Sequence, residues 1–223
     1  MASGQDAARR EVARMMLEAL RETNFVLTGG SALIEHGLTH RVTKDVDLFT
    51  TGEEGQCIPD VLPALRRHLA SHGADLSVDR EFPGFVDGRI LWGGHEIGFD
   101  LGADWRGYPA ARMEIGPVLD VRDSVGSKIA ALYSRFEVRD YLDAAAIMLD
   151  GRWSAQQIIA MGQSNDPGLE GPQLATILTP GHPNFPDSED YREAGFDTET
   201  ETRMREALAE LRRIALGEST SHP

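Results

Sequence analysis

Two aspartates one residue apart, Asp45 and Asp47, stand in the apolar run Asp-Val-Asp-Leu-Phe-Thr at 45–50. In a strand, residues i and i+2 leave the same face, so the two carboxylates project together while Val46 and Leu48 project the other way. Anions held side by side repel, and each is expensive to remove from water unless a positive charge offsets it. A divalent cation with oxygen ligands supplies that charge. Mg2+ in particular takes one or two carboxylates together with substrate phosphates. Two aspartates solvated at an exposed strand end are the plain alternative, since a short motif occurs often by chance.

Upstream, Asn-Phe-Val-Leu-Thr at 24–28 reads as a short buried strand, broken by Gly29 and Gly30. The next seven residues, 31–37, fit a short helix with Ser31 at its start and Gly37 at its end. Strand, Gly-Gly-Ser, helix is a phosphate-binding arrangement, because it offers backbone N–H groups and the positive end of a helix dipole. A bare strand-to-helix turn with an N-cap serine is the alternative. A phosphate cradle closely followed by a carboxylate pair makes sense as one unit: the cradle holds a nucleotide's phosphates and metal bridges them to the point of attack.

Several elements must position these residues. Residues 6–22 have helical periodicity through Val12, Met16 and Leu20, with Arg9, Arg10 and Arg14 among them. A helix is expected over 60–72, and strands in Asp-Leu-Ser-Val-Asp, Gly-Arg-Ile-Leu-Trp-Gly, Glu-Ile-Gly-Phe-Asp-Leu-Gly-Ala-Asp and the short Pro-Val-Leu-Asp. From residue 123 the pattern turns helical, with two helices up to 149, another from 154 and a final one over 201–217. Residues 163–198 are rich in Gly, Pro, Asp and Asn, which predicts long loops. The expected organisation is a mixed α/β core over 1–122 and a helical region over 123–223.

The 223 residues are 41% hydrophobic, enough for a real core. Cys57 is the single cysteine, so no intramolecular disulfide forms and a reduced, cytoplasmic setting is expected. The N-terminus lacks the apolar stretch of a secretory signal, and no run of about 18 apolar residues predicts a membrane span. The formal charge of −14 disfavours sequence-independent binding to nucleic acid. His36 and His40 are four apart, but Gly37 interrupts their helix and no glutamate ligand follows, so a helical metal pair is not expected.

The stretch from Gly29 to Phe49 resembles the first motif of the polymerase-β-like nucleotidyltransferases, and most of all the AbiEii/AbiGii-type toxins. Those carry a glycine turn, a short helix, an arginine and then Asp-x-Asp-Leu-Phe, matched here by Arg41 and residues 45–49. Downstream, Ser-Lys-Ile-Ala-Ala-Leu-Tyr-Ser-Arg-Phe-Glu-Val-Arg-Asp-Tyr-Leu-Asp resembles the family's later motifs, with Lys128, Arg139, Asp140 and Asp143 in the matching positions. The two matches and the strands between them cover roughly residues 25–150. The resemblance implies an α+β fold: a nucleotidyltransferase mixed sheet with flanking helices, followed by a mostly helical C-terminal region.

The resemblance also implies roles. Asp45 and Asp47 would be metal ligands for Mg2+ or Mn2+, and a third carboxylate on a neighbouring strand would complete the site and act on the attacking hydroxyl. Asp100 and Asp104 are the candidates. Asp100 is preferred because it lies within an apolar run, where a charge needs a reason. Gly29, Gly30, Ser31, Arg41 and Lys128 would hold the nucleotide. Asp140 would belong to the active site by orienting Lys128 or Arg41, while Arg139 and Asp143, four apart, could form an ordinary helix ion pair. The implied reaction moves a nucleoside monophosphate from a nucleoside triphosphate to an acceptor such as the 3′ end of tRNA, in a system with an antitoxin partner. An antibiotic or protein acceptor suits the acidic surface better. A non-catalytic nucleotide-binding module is the reading of another class, but such a relic would be expected to lose a carboxylate or the Gly-Gly turn, and both remain.

Overall fold

The computed structural model describes residues 4–52 and 57–218. The chain divides into two compact units, one formed by 1–35 and 43–121 and the other by 36–42 and 122–223.

The first unit is built on a mixed seven-stranded sheet. Its strands are β1 (Val26–Leu27), β2 (Asp45–Thr50), β3 (Asp75–Phe82), β4 (Phe85–Trp92), β5 (His95–Ala103), β6 (Ala111–Met113) and β7 (Gly116–Val118). Their order is β3-β4-β5-β2-β1-β7-β6. The β2–β5 and β1–β7 pairs are parallel and the rest antiparallel. Every strand expected from the pattern is present, and β6 is an addition.

Alternation in β2 decides what each sheet face carries. Val46 and Leu48 are fully buried, while Asp45 and Asp47 are half-buried on the other side. The apolar face packs with Phe99 and Leu101 of β5 and with two helices, α1 (Gly4–Ala19) and α3 (Leu62–Ser71). Val12, Met16, Leu65 and Leu69 are fully excluded from water there, each contributing about 1.5–3 kcal/mol by burial. α2 (Gly29–Glu35) follows β1 directly. It starts at Gly29, two residues before the expected Ser31.

The second unit is helical: α4 (Val121–Arg135, entering from the first unit), α5 (Val138–Asp150), α6 (Ala155–Asn165), α7 (Gly171–Ile177), α8 (Ser188–Glu193) and α9 (Thr198–Ala215). α9 packs against α5, α6, α7 and α8 through a stripe that includes Met204, Leu208 and Leu211. The loops expected over 163–198 are shorter than their composition suggests. Pro172 occupies the first turn of α7, where its missing N–H is harmless, and Asp187 caps α8 by accepting from the amides of Glu189 and Asp190. Residues read as loop-formers are here helix starters. Among the described residues no helix is long and apolar enough to cross a membrane.

Candidate active site

The turn after β1 and the aspartates of β2 are built against each other. Thr28 N–H donates to the Asp47 carbonyl at 2.8 Å, and the first intrahelical bond of α2 runs from Ala32 N–H to Thr28 C=O. The amides of Gly29, Gly30 and Ser31 therefore precede any helical acceptor. Gly29 has φ +62°, and a Cβ built on it would fall 1.8 Å from Asp47 Oδ2. Only glycine satisfies both demands. Gly98 does the same for the other aspartate: it pairs with Asp45 across the β2–β5 ladder, and a Cβ there would lie 2.3 Å from Asp45 Oδ1.

The strand register then gathers carboxylates into a row. Asp47 pairs with Asp100 across β2 and β5, and Asp100 pairs with Asp87 across β5 and β4. Arg80 pairs with Asp87 across β3 and β4 and donates from Nε to Asp87 Oδ2 at 2.7 Å. Asp104 is exposed beyond the end of β5, its amide bound to the Thr50 carbonyl. The register thus sets Asp100, not Asp104, beside the Asp45–Asp47 pair.

Electrostatics mark Asp100 as the strained member. Burial, then the charges of Asp47, Asp45 and Asp87, push its carboxyl up to about 6, with Arg80 opposing. This has a consequence for metal-free protein. Because folding raises the pKa of Asp100, its contribution to stability is fully present below the unfolded value near 3.8 and is lost as pH rises through about 6. Asp100→Asn should therefore melt like the wild type near pH 4 and higher than it at pH 7. The expected rise is roughly 2–4 °C, the scale of about 1 kcal/mol in a chain of this size after discounting for solvent screening. Thermal melts in chelator at both pH values check this, and an equal or lower melting point at pH 7 would contradict it.

The donor chemistry of Asp45, Asp47 and Asp100, hard oxygens on one sheet face with two glycines clearing space for them, fits a divalent cation of the Mg2+ type. Among the described residues, no group of three or more His, Cys, Asp or Glu side chains is arranged as it stands to hold a metal ion. A cavity of about 610 Å3 lies at the other end of β1, against Thr23, Phe25, Arg106 and Arg112, and none of the three carboxylates lines it.

The second unit holds a separate buried charge cluster. Arg41 donates from Nε and Nη2 to Asp143 at 2.7 and 2.8 Å, a two-pronged pairing that fits the guanidinium fork. Lys128 Nζ lies 3.0 Å from Asp143 and 3.8 Å from Asp140, and Arg135 grips Asp140 with two bonds of 2.8 Å. Asp140 and Asp143 are fully buried, and Lys128 and Arg41 nearly so. Burial pushes the Asp143 carboxyl up, but Lys128 and Arg41 outweigh it and hold it below the ordinary carboxylate range. The ordinary helix pair open to Arg139 and Asp143 by spacing does not form: Arg139 pairs with Glu137 at 2.7 Å instead. Asp143 is the residue that joins Arg41 to Lys128, a part that spacing alone did not assign to it. Asp87 and Arg9 likewise carry no signal in the sequence, because what they touch is set by sheet register and helix packing.

No curated protein matches the chain. Solved structures do. A proposed nucleotidyltransferase from Helicobacter pylori aligns at 16% identity and TM-score 0.58, covering 96% of this chain and 95% of its own. JHP933, also from Helicobacter pylori, aligns at 15% identity and TM-score 0.57 over 97% and 96%. MenT4, a nucleotidyltransferase toxin from Mycobacterium tuberculosis, aligns at 14% identity and TM-score 0.54 over 91% and 92%. At these identities the likeness is one of fold. Family membership rests on sequence: the model described as "Nucleotidyl transferase AbiEii toxin, Type IV TA system" matches residues 12–213, nearly the whole chain, so this protein belongs to the AbiEii family of nucleotidyltransferase toxins.

Proposed function

We propose that the chain transfers a nucleoside monophosphate from a nucleoside triphosphate to the 3′ end of tRNA, using a divalent metal at Asp45, Asp47 and Asp100. One observation carries this reading above the others: Asp47 stands opposite Asp100 in register and presses against the glycine turn. When bound, the cation supplies counter-charge and Lewis acidity at the transferring phosphate. The amides of Gly29, Gly30 and Ser31 donate to phosphate oxygens. Asp100 takes the proton of the acceptor hydroxyl. The hydroxyl oxygen bonds to the α-phosphorus, the bond from that phosphorus to its bridging oxygen breaks, and pyrophosphate leaves.

Family resemblance gives Lys128 to the triphosphate, where an ammonium acts as a point charge. Its burial against Asp143 and Asp140 supports a fixed position rather than a solvated surface lysine. Lys128→Ala leaves Asp143 on Arg41 and Asp140 on Arg135, so the fold is expected to survive. The KM for nucleotide should rise, or turnover fall, by about tenfold or more, as for loss of one charged group at a phosphate. Steady-state kinetics that match the wild type in both parameters would reject the assignment.

A second acceptor class is favoured by one finding. Of the six basic residues that could form a patch for RNA, Arg41 is buried on Asp143, Arg135 is held by Asp140, Arg139 pairs with Glu137 and Arg66 donates to the Leu76 carbonyl, which leaves Lys44 and Arg67 as the exposed remainder. Residues 151–223 add 6 Lys and Arg against 12 Asp and Glu, a net of −6. A hydroxyl on a small molecule or a protein would not need that patch. The family description also supports a cognate antitoxin. The acceptor is tested by incubating the protein with α-labelled nucleoside triphosphates, Mg2+ and either total tRNA, aminoglycosides or cell extract. Label in tRNA supports the first acceptor. Label that appears only on a small molecule or a protein overturns it in favour of the second.

A further inference from the structure

Arg9 has no place in the family motifs, yet its surroundings are unusual. It lies on the inner side of α1 and is 4% exposed. A buried guanidinium ordinarily sits on a carboxylate, because an uncompensated charge in the interior is strongly unfavourable. The nearby carboxylate of Glu35 is taken by Arg10, at 2.9 and 3.1 Å. Arg9 instead donates from Nη1 to Ser31 Oγ at 2.6 Å, and its Nε is buried without a partner. Ser31 Oγ passes the contact on by donating to the Asp45 carbonyl at 3.2 Å. One chain of bonds thus joins α1, the glycine turn and the aspartate strand. Burial lowers the pKa of Arg9, while the charges of Asp6, Glu35 and Asp47 work against that shift.

We propose that Arg9 is a positioning residue for transfer: its buried guanidinium holds Ser31 on the Asp45 carbonyl and sets a fixed positive charge near Asp47. The inference rests on the reading of the carboxylate row as the active site. Stability does not explain Arg9. A methionine of similar length would bury no charge and leave no donor unpaired, and such replacements are often neutral or stabilising. A fixed cation at this point works on ligands instead. It favours the added negative charge of a triphosphate and opposes an added divalent cation, which sets the balance between the two.

The test compares the wild type, Arg9→Met and Arg9→Lys in three measurements: the melting point, Mn2+ binding without nucleotide by electron paramagnetic resonance, and initial rates against nucleotide concentration. Arg9→Met should melt at or above the wild type. It should bind Mn2+ more tightly and show a higher KM for nucleotide, each by roughly three- to tenfold, the scale of one nearby charge. Arg9→Lys keeps the charge and should return both values toward the wild type. The inference is overturned if Mn2+ affinity and KM are unchanged in Arg9→Met, if its activity falls only in step with its melting point, or if the lysine rescues neither value. A wild type that binds no Mn2+ would instead overturn the metal reading, and Arg9 would then stand or fall on the KM comparison alone.

Discussion

Asp47→Asn should abolish nucleotide transfer and leave the protein folded. The substitution is nearly isosteric, so the carboxamide still fits against Gly29, and it removes one of the charges that crowd Asp100. Expected turnover is down by about 10²–10³-fold or more, the scale of losing one preorganised electrostatic group at a transition state. The melting point should stay within ~4 °C of the wild type. Radiolabel transfer read beside a thermal melt separates the two effects. A variant with wild-type turnover would remove Asp47 from the chemistry.

Gly29→Ala should be nearly as damaging, for a reason of space rather than charge. Its backbone is left-handed, which costs a non-glycine residue about 1–2 kcal/mol. The new methyl would also collide with the Asp47 carboxylate, so either the turn or the aspartate must move. A displacement of about 1 Å at a reacting centre is worth roughly 10²-fold in rate. Gly37 provides the control. It too is left-handed, at φ +71°, but a Cβ there meets nothing within 4 Å. Gly37→Ala should therefore carry the same backbone strain while keeping turnover. If both alanine variants lose activity equally, the contact between Gly29 and Asp47 is not what matters.

How far the sequence led follows from the range of each interaction. The Asp45–Asp47 pair was legible because a strand's two-residue period is local. Asp100 was legible because a charge in an apolar run calls for a reason, although its place opposite Asp47 emerges only from β2–β5 register. Arg9 reads like its neighbours Arg10 and Arg14 on a helix rich in charge. Only the packing of α1 against α2, 22 residues on in sequence, makes it buried. Asp143 finds Arg41 across 102 residues, so the i,i+4 pairing with Arg139 was the nearest partner visible locally. α7 and α8 escaped notice because they are only seven and six residues long and open on proline and aspartate, which mark turns as readily as helix starts.

The most direct test of the proposed chemistry follows the phosphorus atoms. The wild-type protein is given an acceptor mixture, Mg2+ and nucleoside triphosphate labelled at either the α or the γ position, with a parallel reaction in chelator. Transfer of a nucleoside monophosphate puts the α label on the acceptor and the γ label into pyrophosphate in equal amounts, and the chelator stops both. Appearance of the γ label on the acceptor, or α-label transfer that persists in chelator, would contradict it.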